Sequence, residues 1–159
     1  MGDSDDIISY WADIADYDLE TANAMLVTER YLYVGFMCHQ TIEKLLKAYY
    51  VRTANCASPY IHNLSRLASL SGVYEKLDEN QRDLLDILEP LNIEARYPKE
   101  KNMILESLTR EKCELLIEPP RILVTSVVSK RRQMLFRNCR NSLRLLVPIQ
   151  TCVILYRAG

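Results

Sequence analysis

A chain of 159 residues, 48% apolar and 26% charged, has room for one domain with a real core, and this composition excludes collagen-like and low-complexity chains. Its net charge of −1 hides a split: residues 1–118 hold 12 Lys/Arg and all 21 Asp/Glu, whereas residues 119–159 hold eight Lys/Arg and no acid. Five scattered cysteines without a CxxC pair, and two histidines, argue against a zinc site or a disulfide framework and for a reducing, cytoplasmic setting. The acidic N-terminus has no basic and apolar regions of a signal peptide. The longest apolar stretch, Leu143 to Tyr156, is interrupted by Arg144 and Pro148 and is too short to span a bilayer, so no membrane association is expected.

Residues 1–6 read as a frayed polar lead-in, with Asp6 or Ser9 available to cap a first helix from about Ile8 to Glu29. The apolar stripe of that helix is Trp11, Ile14, Ala15, Leu19, Ala22, Met25 and Leu26, with Asp13, Asp16 and Glu20 on the wet side. Asp18 sits between Ala15 and Ala22 on the inner stripe. It either reaches water or a tyrosine at the stripe's edge, or is a buried acid that must be paired.

The second helix is predicted from about Tyr31 to Thr53. Cys38, Thr41, Ile42, Leu45, Ala48 and Tyr49 form its inner side. Gln40, Glu43, Lys44 and Lys47, at i, i+3, i+4 and i+7, share the other. That polar face is either a solvated stripe with one i, i+4 pair (Glu43–Lys47), or a place where Lys44 and Lys47 meet an anionic ligand and Gln40 hydrogen-bonds it. His39 lies beside the core stripe and reads as packing.

A loop from Arg52 to Tyr60 leads to a short third helix from about His62 to Ser71, stopped by Gly72. His62 either bonds backbone at the helix start or serves as the one evident general acid/base. A fourth helix fits Glu79 to Leu91, with Leu84, Leu85, Ile87, Leu88 and Leu91 inward, and Asn92 to Asn102 reads as a connector. Within the connector, Arg96 offers a planar fork for phosphate and Tyr97 a ring for stacking a base; otherwise the pair simply makes a turn over the core edge. Thr109 can cap a fifth helix with Glu111 in its first turn and Leu115, Leu116 and Ile117 inward. Pro119-Pro120 should end it.

These elements predict an all-α fold: an antiparallel bundle of four to five helices over residues 7–118, followed by an irregular basic tail, 119–159. The tail admits three readings: a nucleic-acid-binding arm through Lys130-Arg131-Arg132 and the scattered arginines, a poorly packed extension, or a frameshift-derived sequence.

An ordered set of residues then resembles a known family. Tyr10-Trp11, Asp18-Leu19 and Ala22, Phe36 with Gln40, Glu43-Lys44 and Leu46-Lys47-Ala48, His62 with Leu64 and Leu67, Ala95-Arg96-Tyr97-Pro98 and Thr109-Arg110-Glu111 together are similar to the HEPN domain family (higher eukaryotes and prokaryotes nucleotide-binding). The resemblance implies a small all-α bundle, usually a homodimer, often encoded beside a minimal nucleotidyltransferase as a toxin–antitoxin-like pair, and either RNA cleavage or nucleotide binding. Ribonuclease members carry an Arg followed after four to six residues by a His. This sequence has no such spacing, since eight residues separate Arg30 from His39 and nine separate Arg52 from His62.

The expected site is therefore a small nucleotide- or anion-binding cleft, with an RNA-cleaving site built on His62 and Arg96, or a purely structural dimerising bundle, as the alternatives. In the cleft, His62, Arg96 and Tyr97 meet the Gln40/Lys44/Lys47 face, and His62 is the only, weak, catalytic candidate. No GxGxxG, P-loop, HExxH or nucleophile elbow occurs, so neither cofactor nor metal is expected.

Overall fold

The computed structural model describes residues 2–94 and 108–120. Among these residues there are α-helices and one 3₁₀ turn, and no strand: α1 (Gly2–Val27), α2 (Tyr31–Ala54), α3 (Leu64–Leu70), the 3₁₀ turn Tyr74–Lys76, α4 (Glu79–Glu94) and α5 (residues 110–120). Arg96, Tyr97 and the tail beyond residue 120 lie outside the described residues.

α1 begins at Gly2, so the lead-in expected to fray is helical, and Asp6 and Ser9 lie inside the helix rather than at its cap. The acids of the first turns suit the positive end of a helix dipole, which favours starting the helix among them. Ser4 Oγ donates to Asn55 Oδ1 at 3.2 Å, tying this start to the far end of α2. The helix ends in a Schellman motif. Arg30 N donates to Met25 O at 2.8 Å, Glu29 N donates to Leu26 O at 3.1 Å, and Glu29 takes the left-handed conformation at φ 58°. That three-residue turn folds α2 back antiparallel to α1, and the two share the largest interface among α1–α4.

α2 is the central helix. Leu32, Val34, Cys38, Ile42, Leu45, Ala48 and Val51 are buried, but so are His39, Glu43 and Lys47, because neighbours surround it. Against it lies the α1 stripe of Ala15, Leu19 and Ala22. On another side α4 contributes Leu84, Leu85, Leu88 and Leu91. A Cβ on Gly35 would come within 2.6 Å of Leu91 Cδ1, so a side chain here would require the Leu91 side chain to shift.

Local chemistry sets the remaining boundaries. Asn63 Oδ1 accepts from Arg66 N at 2.7 Å, and Glu89 of α4 accepts from Leu64 N at 2.8 Å, so two side chains satisfy the start of α3. Gly72, at φ +70°, follows its end as expected, with Val73 N donating to Ala68 O. Asp78 and Gln81 form a reciprocal capping box before α4, both bonds 2.9 Å.

α4 runs to Glu94 rather than stopping at Leu91, and it does so through Pro90. Pro90 has no N–H for the carbonyl one turn back. Burial of Leu91 and Asn92 carries the helix onward, so the first residues of the expected connector are helical. Thr109 caps α5, accepting from Lys112 N at 3.4 Å, and Leu116 and Ile117 are buried as expected. Pro119 and Pro120 are buried within the last described turn of α5 instead of following it. Each proline forgoes the N–H bond to the carbonyl one turn back, a cost that burial of both rings offsets. Burial also pushes the Cys113 thiol up to about 12, making it an uncharged core group that faces Tyr31 O.

Candidate functional site

The polar side of α2 is covered rather than solvated. Glu43 is 3% exposed and Lys47 5% exposed. Helical spacing alone shows that these residues share a face; it cannot show that α1, α4 and the loop before α3 all close over that face. Two linked groups of polar side chains result.

The first joins three helices. Lys44 Nζ donates to Asp18 Oδ2 of α1 at 2.5 Å and to Gln40 Oε1 at 2.9 Å. Gln40 Nε2 donates onward to Asn92 Oδ1 of α4 at 3.4 Å. Asp18 is thus the paired acid among its two possible readings, with both side chains 14% exposed. A charge pair this sheltered from water gains from Coulomb attraction only because each partner is present; removing one strands the other.

The second group centres on Glu43. Lys47 Nζ donates to Glu43 Oε1 at 2.7 Å, one helical turn along. Nδ1 of His62 lies 3.1 Å and 3.2 Å from the two carboxylate oxygens. A carboxylate oxygen accepts, so Nδ1 is the donor in this contact and the other ring nitrogen, Nε2, is left for another partner. His39 is fully buried one turn before Glu43, with Nδ1 3.9 Å from Oε2. The Lys47 ammonium lies 5.1 Å from the centroid of the Trp11 ring, a cation–π contact that closes the group from the α1 side.

His62 differs from the rest of this group in being open: its side chain is 49% exposed while Glu43 beneath it is 4% exposed. The chain arrives there through Pro59, Tyr60 and Ile61. Ile61 N donates to Pro59 O at 2.9 Å, a γ-turn that holds Tyr60 outward at its apex, 95% exposed. The Tyr60 and His62 rings meet edge to face with centroids 5.5 Å apart.

Of the residues singled out from sequence, Gln40 and Lys44 fall in one group and Lys47 and His62 in the other, adjacent along α2. Glu43, which joins Lys47 to His62, was visible only as a partner of Lys47. Trp11 and Asn92 were missed because contacts between helices leave no local pattern. Among the described residues, no three His, Cys, Asp or Glu side chains converge as a bound metal would require. None of the described helices is long and apolar enough to cross a membrane.

The sequence profile of the HEPN domain matches residues 8–130, most of the chain. The chain belongs to the HEPN family. The match runs from within α1 through α5 and past Pro119-Pro120, so the family pattern continues beyond the two prolines. No curated protein and no solved structure matches it. The all-helical bundle is the architecture that the HEPN resemblance implies.

Proposed function

We propose that this chain is a HEPN-type module that binds a nucleotide or another phosphate-bearing anion at His62, and that it works as a homodimer with a minimal nucleotidyltransferase in a cytoplasmic, toxin–antitoxin-like pair. The observation that carries the binding site is the pairing of His62 with buried Glu43. The carboxylate fixes the ring's orientation, and half of the imidazole still faces solvent. A preoriented hydrogen-bonding ring at the surface binds a ligand with less loss of side-chain freedom than a mobile one.

Lys44 and Lys47 have a different part in this reading from the one their spacing suggests. Each already neutralises a carboxylate, Asp18 or Glu43. They hold the site's geometry, and Lys47 offsets the charge of Glu43 beneath the ligand. Gln40 is bonded to Asn92 near the end of α4, and Arg96 lies two residues past Glu94 in sequence. That proximity supports Arg96 and Tyr97 as further ligand contacts from the connector. α1 carries seven Asp/Glu and no Lys or Arg, which repels a polyanion from its outer face and favours approach from the His62 side.

Isothermal titration of the full chain with adenosine monophosphate tests the site. Binding that is lost in His62→Ala supports it; binding unaffected by that change, or none at all, refutes it. Isolation of the native complex tests the partner: a nucleotidyltransferase should accompany the chain, and its absence would leave the module without that role.

One observation favours RNA cleavage as a second reading. A histidine whose Nδ1 is held by a carboxylate is arranged to exchange a proton at Nε2, as general acid–base chemistry needs. RNA degradation by the purified protein that disappears in His62→Ala would support this reading, and intact RNA would exclude it. The absence of the Arg–His spacing found in ribonuclease members weighs toward binding.

A further inference from the structure

We infer that Tyr60 is the base-stacking residue of the His62 site, so that a nucleobase lies against the Tyr60 ring while the phosphate of the same nucleotide engages His62. The inference rests on the reading of His62 as the ligand-binding group and adds the part of the ligand that a phosphate site alone would not recognise.

An exposed tyrosine is ordinary by itself, since much of any protein surface is apolar. Tyr60 differs in how it is held. The γ-turn from Pro59 to Ile61 fixes the backbone on both sides of it, and Pro59 itself has a restricted φ. The ring meets the His62 ring at 74°, and with Tyr60 95% exposed a π-face remains uncovered. His62 is in turn anchored to Glu43. A flat apolar face is thus fixed beside a hydrogen-bonding ring, and both are exposed at the surface. A base and its phosphate are joined through a single ribose, a separation that suits neighbouring rings 5.5 Å apart.

Alternative ligands fit less well. Inorganic phosphate or a sugar phosphate would use His62 and leave Tyr60 idle. A purely apolar ligand would use Tyr60 and leave the oriented imidazole idle. A nucleotide uses both. Stacking on a tyrosine is tolerant of base identity, because every base has a π-face. The shared chemistry, base plus phosphate, is present in a free nucleotide and in a single strand of RNA.

Calorimetric titrations of the full chain with adenosine monophosphate, ribose 5-phosphate and a short single-stranded oligoadenylate test the inference in wild type, Tyr60→Ala, Tyr60→Phe and His62→Ala. The expected result is that wild type prefers a base-bearing ligand to ribose 5-phosphate. Tyr60→Ala should weaken the base-bearing ligand by roughly 5- to 150-fold, while Tyr60→Phe, which keeps the ring, holds near wild type. With that pattern, whichever of mononucleotide and oligoadenylate binds more tightly identifies the source. If His62→Ala abolishes binding but Tyr60→Ala leaves it unchanged, the stacking role is overturned and the His62 site stands. If adenosine monophosphate and oligoadenylate both fail to bind wild type, the inference falls together with the site it rests on. Because Tyr60 is 95% exposed, its substitution leaves the core untouched, which thermal melting of the variants verifies.

Discussion

The carboxylate of Glu43, buried in the middle of the bundle, holds Nδ1 of His62 at 3.1 Å, a residue that is itself half exposed. Through this contact the interior of the bundle sets the orientation of a group at its surface. The same carboxylate holds Lys47, and Lys47 stands over Trp11. A neighbouring pair, Asp18 and Lys44, repeats the arrangement across α1 and α2.

The Asp18–Lys44 pair should behave as a sheltered ion pair. Asp18→Leu alone leaves the Lys44 ammonium without its carboxylate, and urea unfolding should show a loss of about 2–3 kcal/mol. Adding Lys44→Met removes the stranded charge, so the double variant should regain much of that loss. Simple additivity of the two changes would contradict the pairing.

Gly35 of α2 faces Leu91 of α4. Alanine gains roughly 1 kcal/mol of helix propensity over glycine, but its methyl would stand 2.6 Å from Leu91 Cδ1, in a well-packed core. Overpacking of this kind costs about 1–3 kcal/mol, so Gly35→Ala should destabilise the protein on balance. In a Leu91→Ala background the obstruction is gone, and the same change should become stabilising. A sign that does not reverse would show that Leu91 is not what limits the residue at position 35.

Much of this fold is legible in the sequence. The stripes of α1 and α4, the Thr109 cap and Gly72 after α3 follow from spacing and from the demands of helix ends. The misplaced boundaries have a common cause. α4 continues through Pro90, and α5 holds both of its prolines, because burial of Leu91, Asn92, Pro119 and Pro120 outweighs what proline costs locally. The Asp78–Gln81 box was present as D-x-x-Q and is a signal that could have been read. The site was less legible. Gln40, Glu43, Lys44 and Lys47 share a face by spacing, but whether a face is wet depends on what packs over it. Trp11, Asn92 and His62 reach α2 from distant parts of the chain.

Glu29 ends α1 in the left-handed conformation at φ 58°. For a residue with a Cβ this costs about 1–2 kcal/mol, which glycine avoids at the expense of roughly 0.5–1 kcal/mol of added chain freedom when unfolded. Glu29→Gly should therefore stabilise by about 0.5–1 kcal/mol, seen as a rise in Tm of about 2 °C. A fall in Tm would show that the Glu29 side chain contributes more than its backbone conformation costs.

Glu111 gives α5 a defined acid dependence. Its own backbone N–H and then the Thr109 hydroxyl hold its carboxyl below the usual value of 4.5. A depressed folded-state pKa contributes stability that is present above the unfolded value. It is lost as pH falls from about 4.5 through the folded value. Stability measured across that window should decline less steeply in Glu111→Gln than in wild type. Parallel curves would contradict the capping role.

The central claim is that His62, fixed by Glu43, is where the ligand binds. Chemical-shift mapping of the intact chain during titration with adenosine monophosphate tests it most directly. Saturable shifts should centre on the His62 ring and extend to Tyr60 and to the indole of Trp11, the single tryptophan, and they should vanish in Glu43→Gln once its fold is verified. Shifts confined to other parts of the bundle, or none at saturating nucleotide, would contradict the claim.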